Sequence, residues 1–339
     1  MRSAVITGPG QVEIRQEPYP VPGDDQVIVD VAMCGVCTFE RRLFSGDKAW
    51  YPVSAGHEAA GVVVAAGARV KGLAGSPRVG DRVTLDLLTR CLTCRPCRRG
   101  RTALCSYPQG RALADGTFSF GGFTETIAID ARSVYPVGDT PMVHAAMGEP
   151  IACCVHSLRR SGFRSGDRVA IIGGGVMGRL HLALTRVGGA SSVGVVDPSG
   201  ERRDEAAVAG ADWVATPEEA SAMGGTQDVV FVAAMGGVDL AVRLADVGGT
   251  VVLYSSFDPQ LRVSIGADRC HRQEISIVGA YNQEPEDWRN TSTLLRSGLI
   301  AADLDRLVTA RYPFSKVGDA LSHVTSEPTY RVFVERDEA

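Results

Sequence analysis

The run DRVAIIGGGVMG at 167–178 constrains the fold of this 339-residue chain more than any other stretch. Its β-branched core reads as a buried strand, glycines end it, and residues Met177 to Arg186 read as a helix. Further strand-like runs follow at 192–197, 228–234, 249–255 and 274–280, with a helix-like run at 201–210 closed by Gly210. Strands alternating with helices need right-handed crossovers, so residues 151–284 are expected to form a parallel sheet covered on both faces. Gly173-x-Gly175-x-x-Gly178 stands where the first strand meets its helix. The first glycine permits the tight turn, the second lets a pyrophosphate approach the backbone, and the third lets the helix pack close to the strand. The helix start at Val176 and Met177 offers free N–H groups and partial positive charge to phosphates. Asp197 ends the next strand, where a carboxylate accepts the ribose hydroxyls and repels a 2′-phosphate; NAD is therefore expected over NADP. Arg202 and Arg203, close behind, weaken that preference.

Residues 1–150 have another rhythm. Short strand-like runs at 26–33, 59–67, 81–87 and 123–129, broken by Gly and Pro, suggest a barrel-like all-β lobe. Between Leu88 and Tyr107 the chain leaves this pattern for Cys91, Cys94, Cys97 and Cys105, spaced C-x2-C-x2-C-x7-C. Four thiolates so close can surround one Zn2+ tetrahedrally with no open position, a site that folds a lobe and does no chemistry. After Ala280 a helix is expected near 285–297, followed by two strand-like runs, DRLVTARYPF and YRVFVE.

Composition narrows the function classes. A net charge of −4 leaves no electrostatic footprint for nucleic acid or an anionic membrane. The first residues alternate apolar and polar, so neither a signal peptide nor a membrane span is expected, and no later run reaches the ~20 apolar residues a span needs. Nine cysteines without an export signal point to metal ligation in a reducing cytoplasm, not to disulfides.

A second set of metal-ligand types is scattered: Cys37 in MCGVCTFE, His57 in GHE and Glu149 in GEPIACC. Thiolate, imidazole and carboxylate together suit zinc with a fourth position left open. With CGVC at 34–37, GHEAAGVV at 56–63, VGDRV at 79–83, the four-cysteine lobe, EPIACCVHS at 149–157 and GGGVMG at 173–178, the chain resembles the zinc-dependent medium-chain dehydrogenases. Within them it is most similar to the sorbitol and threonine dehydrogenase branch. The resemblance covers essentially the whole length. It implies an α/β protein: a GroES-like β-barrel catalytic domain from residues 1–150 and 285–339, carrying a structural zinc lobe at 88–107, and a Rossmann doubly wound parallel-sheet domain at 151–284. It implies two Zn2+ per chain, one catalytic and one structural. Cys37, His57 and Glu149 look like the catalytic ligands, with Glu58 a carboxylate able to approach the metal. Glu149 falls where the alcohol dehydrogenase branch has cysteine, which suggests a polyol-type site.

The implied activity is hydride transfer between NAD and a secondary alcohol of a polyol, sugar, aminocyclitol or hydroxy-amino acid, in a cytoplasmic homodimer or homotetramer. The 274–280 strand is a candidate assembly edge. The alternatives are an NADPH-dependent zinc carbonyl reductase and a catalytically silent nucleotide-binding sensor with structural zinc alone. Cys153 and Cys154 are out of register for ligation. Two positions depart from the family. Glu40 replaces the usual Asp, and its expected role is to orient a ligand imidazole, His57. Phe39 replaces the Ser or Thr that carries the substrate proton, and Arg42 stands where some members have His; Thr38, Glu58 or a zinc-bound water are left as relays. Phe39, with Trp50 and Tyr51, is expected to form an apolar wall or a stacking face for substrate.

Overall fold

The structure is a computed structural model and describes residues 1–70, 75–107 and 110–337. The end of the expected 285–339 segment, residues 338 and 339, lies outside the described residues. The chain divides into two compact units, Met1–Ala152 with Glu284–Ala339, and Cys153–Gln283.

In the second unit the alternation of strand and helix gives a six-stranded, wholly parallel sheet. Its spatial order is Trp213–Ala215, Ser192–Val196, Arg168–Ile172, Gln227–Val232, Ala245–Leu253, Ser276–Gly279. In chain order this is 3-2-1-4-5-6, the doubly wound arrangement that places ligands where the strand order reverses. Both faces are covered because both parities of each strand are apolar. Val169, Ile171, Val193, Val195 and Phe231 pack with Leu182 and Ala206 on one side, while Ala170, Ile172, Val230 and Val232 pack with Leu240 and Leu244 on the other. The expected 249–255 strand begins earlier, at Ala245, and its ladder slips register between Gln227 and Val229 of the neighbouring strand.

The first unit is built on two sheets. One has the order Gln11–Gln16, Arg2–Gly8, Val53–Ser54, Phe118–Ser119, Arg111–Ala112. The other has the order Val134–Pro136, Arg82–Leu85, Glu58–Ala66, Gln26–Val36, Arg331–Glu335, Val308–Pro313, with Thr126–Asp130 also on Gln26–Val36. Arg331–Glu335 thus pairs directly with Gln26–Val36, which carries the C-terminal segment into the heart of this unit. Val27, Val29, Phe123, Ile127, Val332 and Val334 share one buried cluster. The helix Pro285–Ser297 is anchored by Trp288, stacked on Tyr135 at 5.4 Å, and by Ser292 Oγ donating to the Pro136 carbonyl at 2.6 Å. Among the described residues no helix is long and apolar enough to cross a membrane.

Candidate metal centres and dinucleotide site

Cys37 ends the Gln26–Val36 strand run and caps the helix Thr38–Ser45. Its Sγ accepts the Phe39 N–H at 3.2 Å, and the Glu40 carboxylate accepts the Cys37 N–H at 3.1 Å. This is a capping box with a thiol in the hydroxyl's place, so the helix N-terminus favours negative charge on that sulfur. His57 lies just before the strand Glu58–Ala66, after Gly56 at φ +80°. A Cβ on Gly56 would come within 2.6 Å of the Phe123 ring, so only glycine lets the chain deliver His57 here.

The two residues meet, with Cys37 Sγ 3.4 Å from His57 Nε2. Glu40 fixes the ring from behind: its Oε1 accepts from His57 Nδ1 at 2.9 Å and from the Gly56 N–H at 3.0 Å. An Nδ1–H donated to a carboxylate leaves Nε2 as the free donor to a metal. Glu40 is fully buried. Burial alone would raise its pKa, but the charge and hydrogen bond of His57, with the bonds from Cys37 and Gly56, outweigh it and hold the carboxyl at about 2. For Cys37, burial and the nearby Glu40 charge push the thiol up to about 12 against the pull of His57. Burial opposes a charged His57, yet Glu40 and Cys37 hold its pKa well above the ordinary value.

Glu58 completes the trio. One ligand atom each from Cys37, His57 and Glu58 lie within 4.8 Å of one another. Glu58 Oε1 is paired with Arg331 at 3.0 Å, whereas its Oε2 is buried without a hydrogen-bond partner among the described residues. A Cβ on Gly35 would stand 2.3 Å from that Oε2, so the glycine leaves room for the carboxylate. Burial raises the Glu58 pKa, Arg331 opposes it, Glu149 adds to it, and the result is about 7. An orphaned carboxylate oxygen beside a sulfur and a free imidazole nitrogen fits a divalent zinc ion. Glu149 stands outside this trio, buried in the first turn of the helix Gly148–Ser161, where its charge reaches Glu58 and Arg331. Thr38 is exposed at the start of its helix.

Beside His57 stands an aromatic wall. The Phe39 ring meets His57, Trp50 and Phe120 edge-on at centroid distances of 5.9, 6.2 and 5.6 Å. Trp50 lies 4.8 Å from Phe118, which is 5.1 Å from Phe120. Tyr51 leaves this wall and gives its hydroxyl to the Leu43 carbonyl. Phe118 and Phe120 were not among the sequence candidates, although their spacing of two marks one face of an extended segment. Arg331 and Lys48, whose Nζ sits 4.4 Å over the Phe39 ring, carried no local signal.

In the excursion from the β lobe, one sulfur each from Cys91, Cys94, Cys97 and Cys105 lie within 4.8 Å of one another. Cys91 and Cys105 sulfurs are 3.5 Å apart, close to the roughly 3.8 Å that tetrahedral Zn–S bonds of about 2.3 Å require. None of the nine cysteines is in a disulfide. Leu92 turns at φ +55°, and Cys94 begins the one-turn helix Arg95–Arg98, so the segment has little structure besides its ligands.

In the second unit, Gly173 follows the strand Arg168–Ile172 at φ +106°, and the helix Val176–Val187 starts at once with Gly175 as its cap. A Cβ on Gly178 would lie 1.8 Å from the Gly173 carbonyl oxygen, so helix and strand approach only through glycine. Around Gly175 a Cβ would meet nothing within 4 Å, leaving its backbone open beside Val176 and Met177. Asp197 follows the strand Ser192–Val196, and its Oδ2 accepts the Gly174 N–H at 2.7 Å. Open backbone, helix N-terminus and adjacent carboxylate together fit the pyrophosphate and ribose of a dinucleotide.

Residues 23–139 match the alcohol dehydrogenase GroES-like domain, and residues 176–297 match the zinc-binding dehydrogenase family. Similar curated proteins include an L-galactonate-5-dehydrogenase of Escherichia coli strain K12, 27% identical and covering 94% of both chains. A sorbitol dehydrogenase of Halalkalibacterium halodurans is 29% identical over 98% of this chain and 99% of its own. A solved structure from Sinorhizobium meliloti 1021, described as a zinc-binding dehydrogenase bound to NADP, has TM-score 0.88 and 30% identity over 98% of each chain. By these matches and by the order of its units, the chain belongs to the zinc-dependent medium-chain dehydrogenase superfamily.

Proposed function

We propose that this NAD(P)-dependent zinc oxidoreductase moves hydride between NAD and a secondary alcohol of a polyol, sugar, aminocyclitol or hydroxy-amino acid. The observation that carries the reading is the buried, unpartnered Glu58 Oε2 beside Cys37 and His57. The curated relatives acting on L-galactonate and sorbitol point to the same substrate class.

Cys37, His57 and Glu58 would hold the catalytic zinc, with Glu149, whose charge reaches Glu58, as the further carboxylate ligand, and Cys91, Cys94, Cys97 and Cys105 would hold the structural one. Zinc supplies Lewis acidity toward an alcohol or carbonyl oxygen, and the nicotinamide supplies the hydride acceptor or donor. Glu40 keeps the His57 proton on Nδ1, and Arg331 balances the buried charge of Glu58. Phe39 has no hydroxyl, so the substrate proton leaves through Thr38, Glu58 or a zinc-bound water. Thr38→Val tests the first: lost turnover with full zinc assigns the relay to Thr38, and an active variant leaves Glu58 or the water.

Asp197 supports NAD as the cofactor. The Arg202 guanidinium, 3.8 Å from Asp197, supports the second reading, an NADPH-dependent carbonyl reductase. A kcat/KM preference for NADP+ over NAD+ would move the assignment to that reading. The assembly we favour is a homodimer or homotetramer joined through Ser276–Gly279, one edge strand of its sheet, and nine cysteines outside any disulfide support a cytoplasmic setting. The deciding experiment measures zinc content of the wild type and Cys37→Ala together with a polyol screen using NAD+ and NADP+. Two zincs falling to one, with turnover lost, is the expected result. One zinc in both would leave a nucleotide-binding sensor.

A further inference from the structure

Lys48 lies two residues beyond Gly46, the left-handed cap of the helix Thr38–Ser45, and its backbone N–H donates to the Arg42 carbonyl at 2.9 Å. That bond fixes the loop on the same side as the aromatic wall. The ammonium is 4.4 Å over the Phe39 ring and 5.7 Å from the Trp50 ring. Because the Phe39 centroid is 5.9 Å from that of His57, the ammonium stands within about 10 Å of the metal-facing imidazole. Among the described residues Lys48, which is exposed, makes no ion pair. The buried carboxylate of the preceding helix, Glu40, is already taken by His57 and by two backbone N–H groups.

We propose that Lys48 determines substrate specificity by pairing with an anionic terminal group, a carboxylate or a phosphate, on the polyol whose alcohol reaches Cys37, His57 and Glu58. The inference rests on the dehydrogenase reading above. A ring face orients the ammonium without using its three N–H donors, so they remain for a ligand oxygen. The distance from Lys48 to His57 suits a chain of several carbons that carries its reacting alcohol at one end and its anion at the other. Phe39 and Trp50 then line the carbon chain between the two. In a chain of net charge −4, selectivity for an anion needs such a local cation, since the overall field repels it.

The test compares wild type, Lys48→Gln and Lys48→Arg, all loaded with zinc, against sorbitol, gluconate and sorbitol 6-phosphate. Turnover with NAD+ and NADP+ is paired with calorimetric binding in the presence of the oxidised cofactor. The expected result is a preference for one or both anionic ligands over sorbitol that falls tenfold or more in Lys48→Gln, through KM, and is kept in Lys48→Arg. Stronger binding of gluconate than of sorbitol 6-phosphate names carboxylate as the group, and the reverse names phosphate. An anionic-to-neutral ratio untouched by Lys48→Gln overturns the proposal, as does a wild type that prefers sorbitol. Tighter binding of an aminopolyol by Lys48→Gln also overturns it, since the rings would then be a cage for the substrate's own cation. Lys48-dependent anion binding without turnover of any alcohol would sink the dehydrogenase reading and leave the anion site standing.

Discussion

Cys91, Cys94, Cys97 and Cys105 come together within one short excursion, whereas Cys37, His57 and Glu58 are brought together by two strands and a helix start, with Arg331 added from the last strand. The thiols differ accordingly. Backbone N–H groups of Thr93 and Cys94 draw the Cys91 thiol down to about 6, whereas burial and Glu40 push Cys37 up to about 12. In the lobe there is little to hold the segment but its ligands, so the metal makes the structure. At the Cys37, His57 and Glu58 trio, sheets packed around Phe123, Val27 and Val332 exist first, and the structure makes the metal site.

The sharpest way to break this contrast is Cys37→Ser. It should remove one zinc of two and lower turnover by about 10³-fold or more, because Lewis-acid assistance is worth several kcal/mol. Circular dichroism and the thermal midpoint should hardly move, since no core contact is lost. A variant that unfolds would mean that the buried metal also builds the fold.

Cys97→Ser is the converse. It should release the lobe zinc, keep the zinc at the trio, and open the segment between Leu88 and Tyr107 to protease. Arg98, Arg99 and Arg101 make trypsin the probe, with cleavage followed by mass spectrometry. A lobe that stays resistant without its metal would end the distinction drawn above.

What could be read in advance follows the same division. The lobe was legible because all its ligands are neighbours in the chain, and the dinucleotide site because its glycines fall in one strand–turn–helix run, with a local steric reason at Gly173 and Gly178. At Gly178 a side chain would collide with the Gly173 carbonyl, a constraint set within five residues. Cys37, His57 and the role of Glu40 were legible through short motifs. Which carboxylate turns toward the sulfur was not. Glu58 and Glu149 each sit in a family motif, and the placement of Glu58 beside the sulfur depends on Arg331 anchoring one of its oxygens and on Gly35 leaving space for the other. The aromatic wall was half legible, through Phe39 and Trp50. Phe118 and Phe120 share a face by their spacing, but only tertiary folding brings that face against Phe39 and Trp50.

The next effect is on the imidazole. Glu40→Ala should weaken zinc at the trio by 10- to 100-fold, the usual cost of removing a carboxylate that orients a ligand histidine. Competition with a chromogenic chelator measures it. The lobe, which has no histidine to orient, should keep its affinity in the same variant. Equal losses at both sites would show that Glu40 acts through general stability and not through His57.

The smallest effect, and the most direct on thiol chemistry, is read in the metal-free protein by titrating thiolate ultraviolet absorbance against pH. Cys37→Ser should leave the curve unchanged until strongly alkaline pH. Cys91→Ser should remove an ionisation step near pH 6 if the Thr93 and Cys94 N–H groups stay on its sulfur without zinc, and only an ordinary thiol step if the lobe opens. The sign for zinc follows. A thiol whose pKa is raised to about 12 still carries its proton at neutrality, and the raised His57 favours the protonated ring. Both protons must leave when the metal enters, so zinc affinity at the trio should rise with pH by up to about tenfold per unit for each proton displaced. Calorimetry in buffers of different ionisation enthalpy counts those protons. If Cys37→Ser abolished the step near pH 6, the buried thiol would be the acidic one, and the two sites would have exchanged characters.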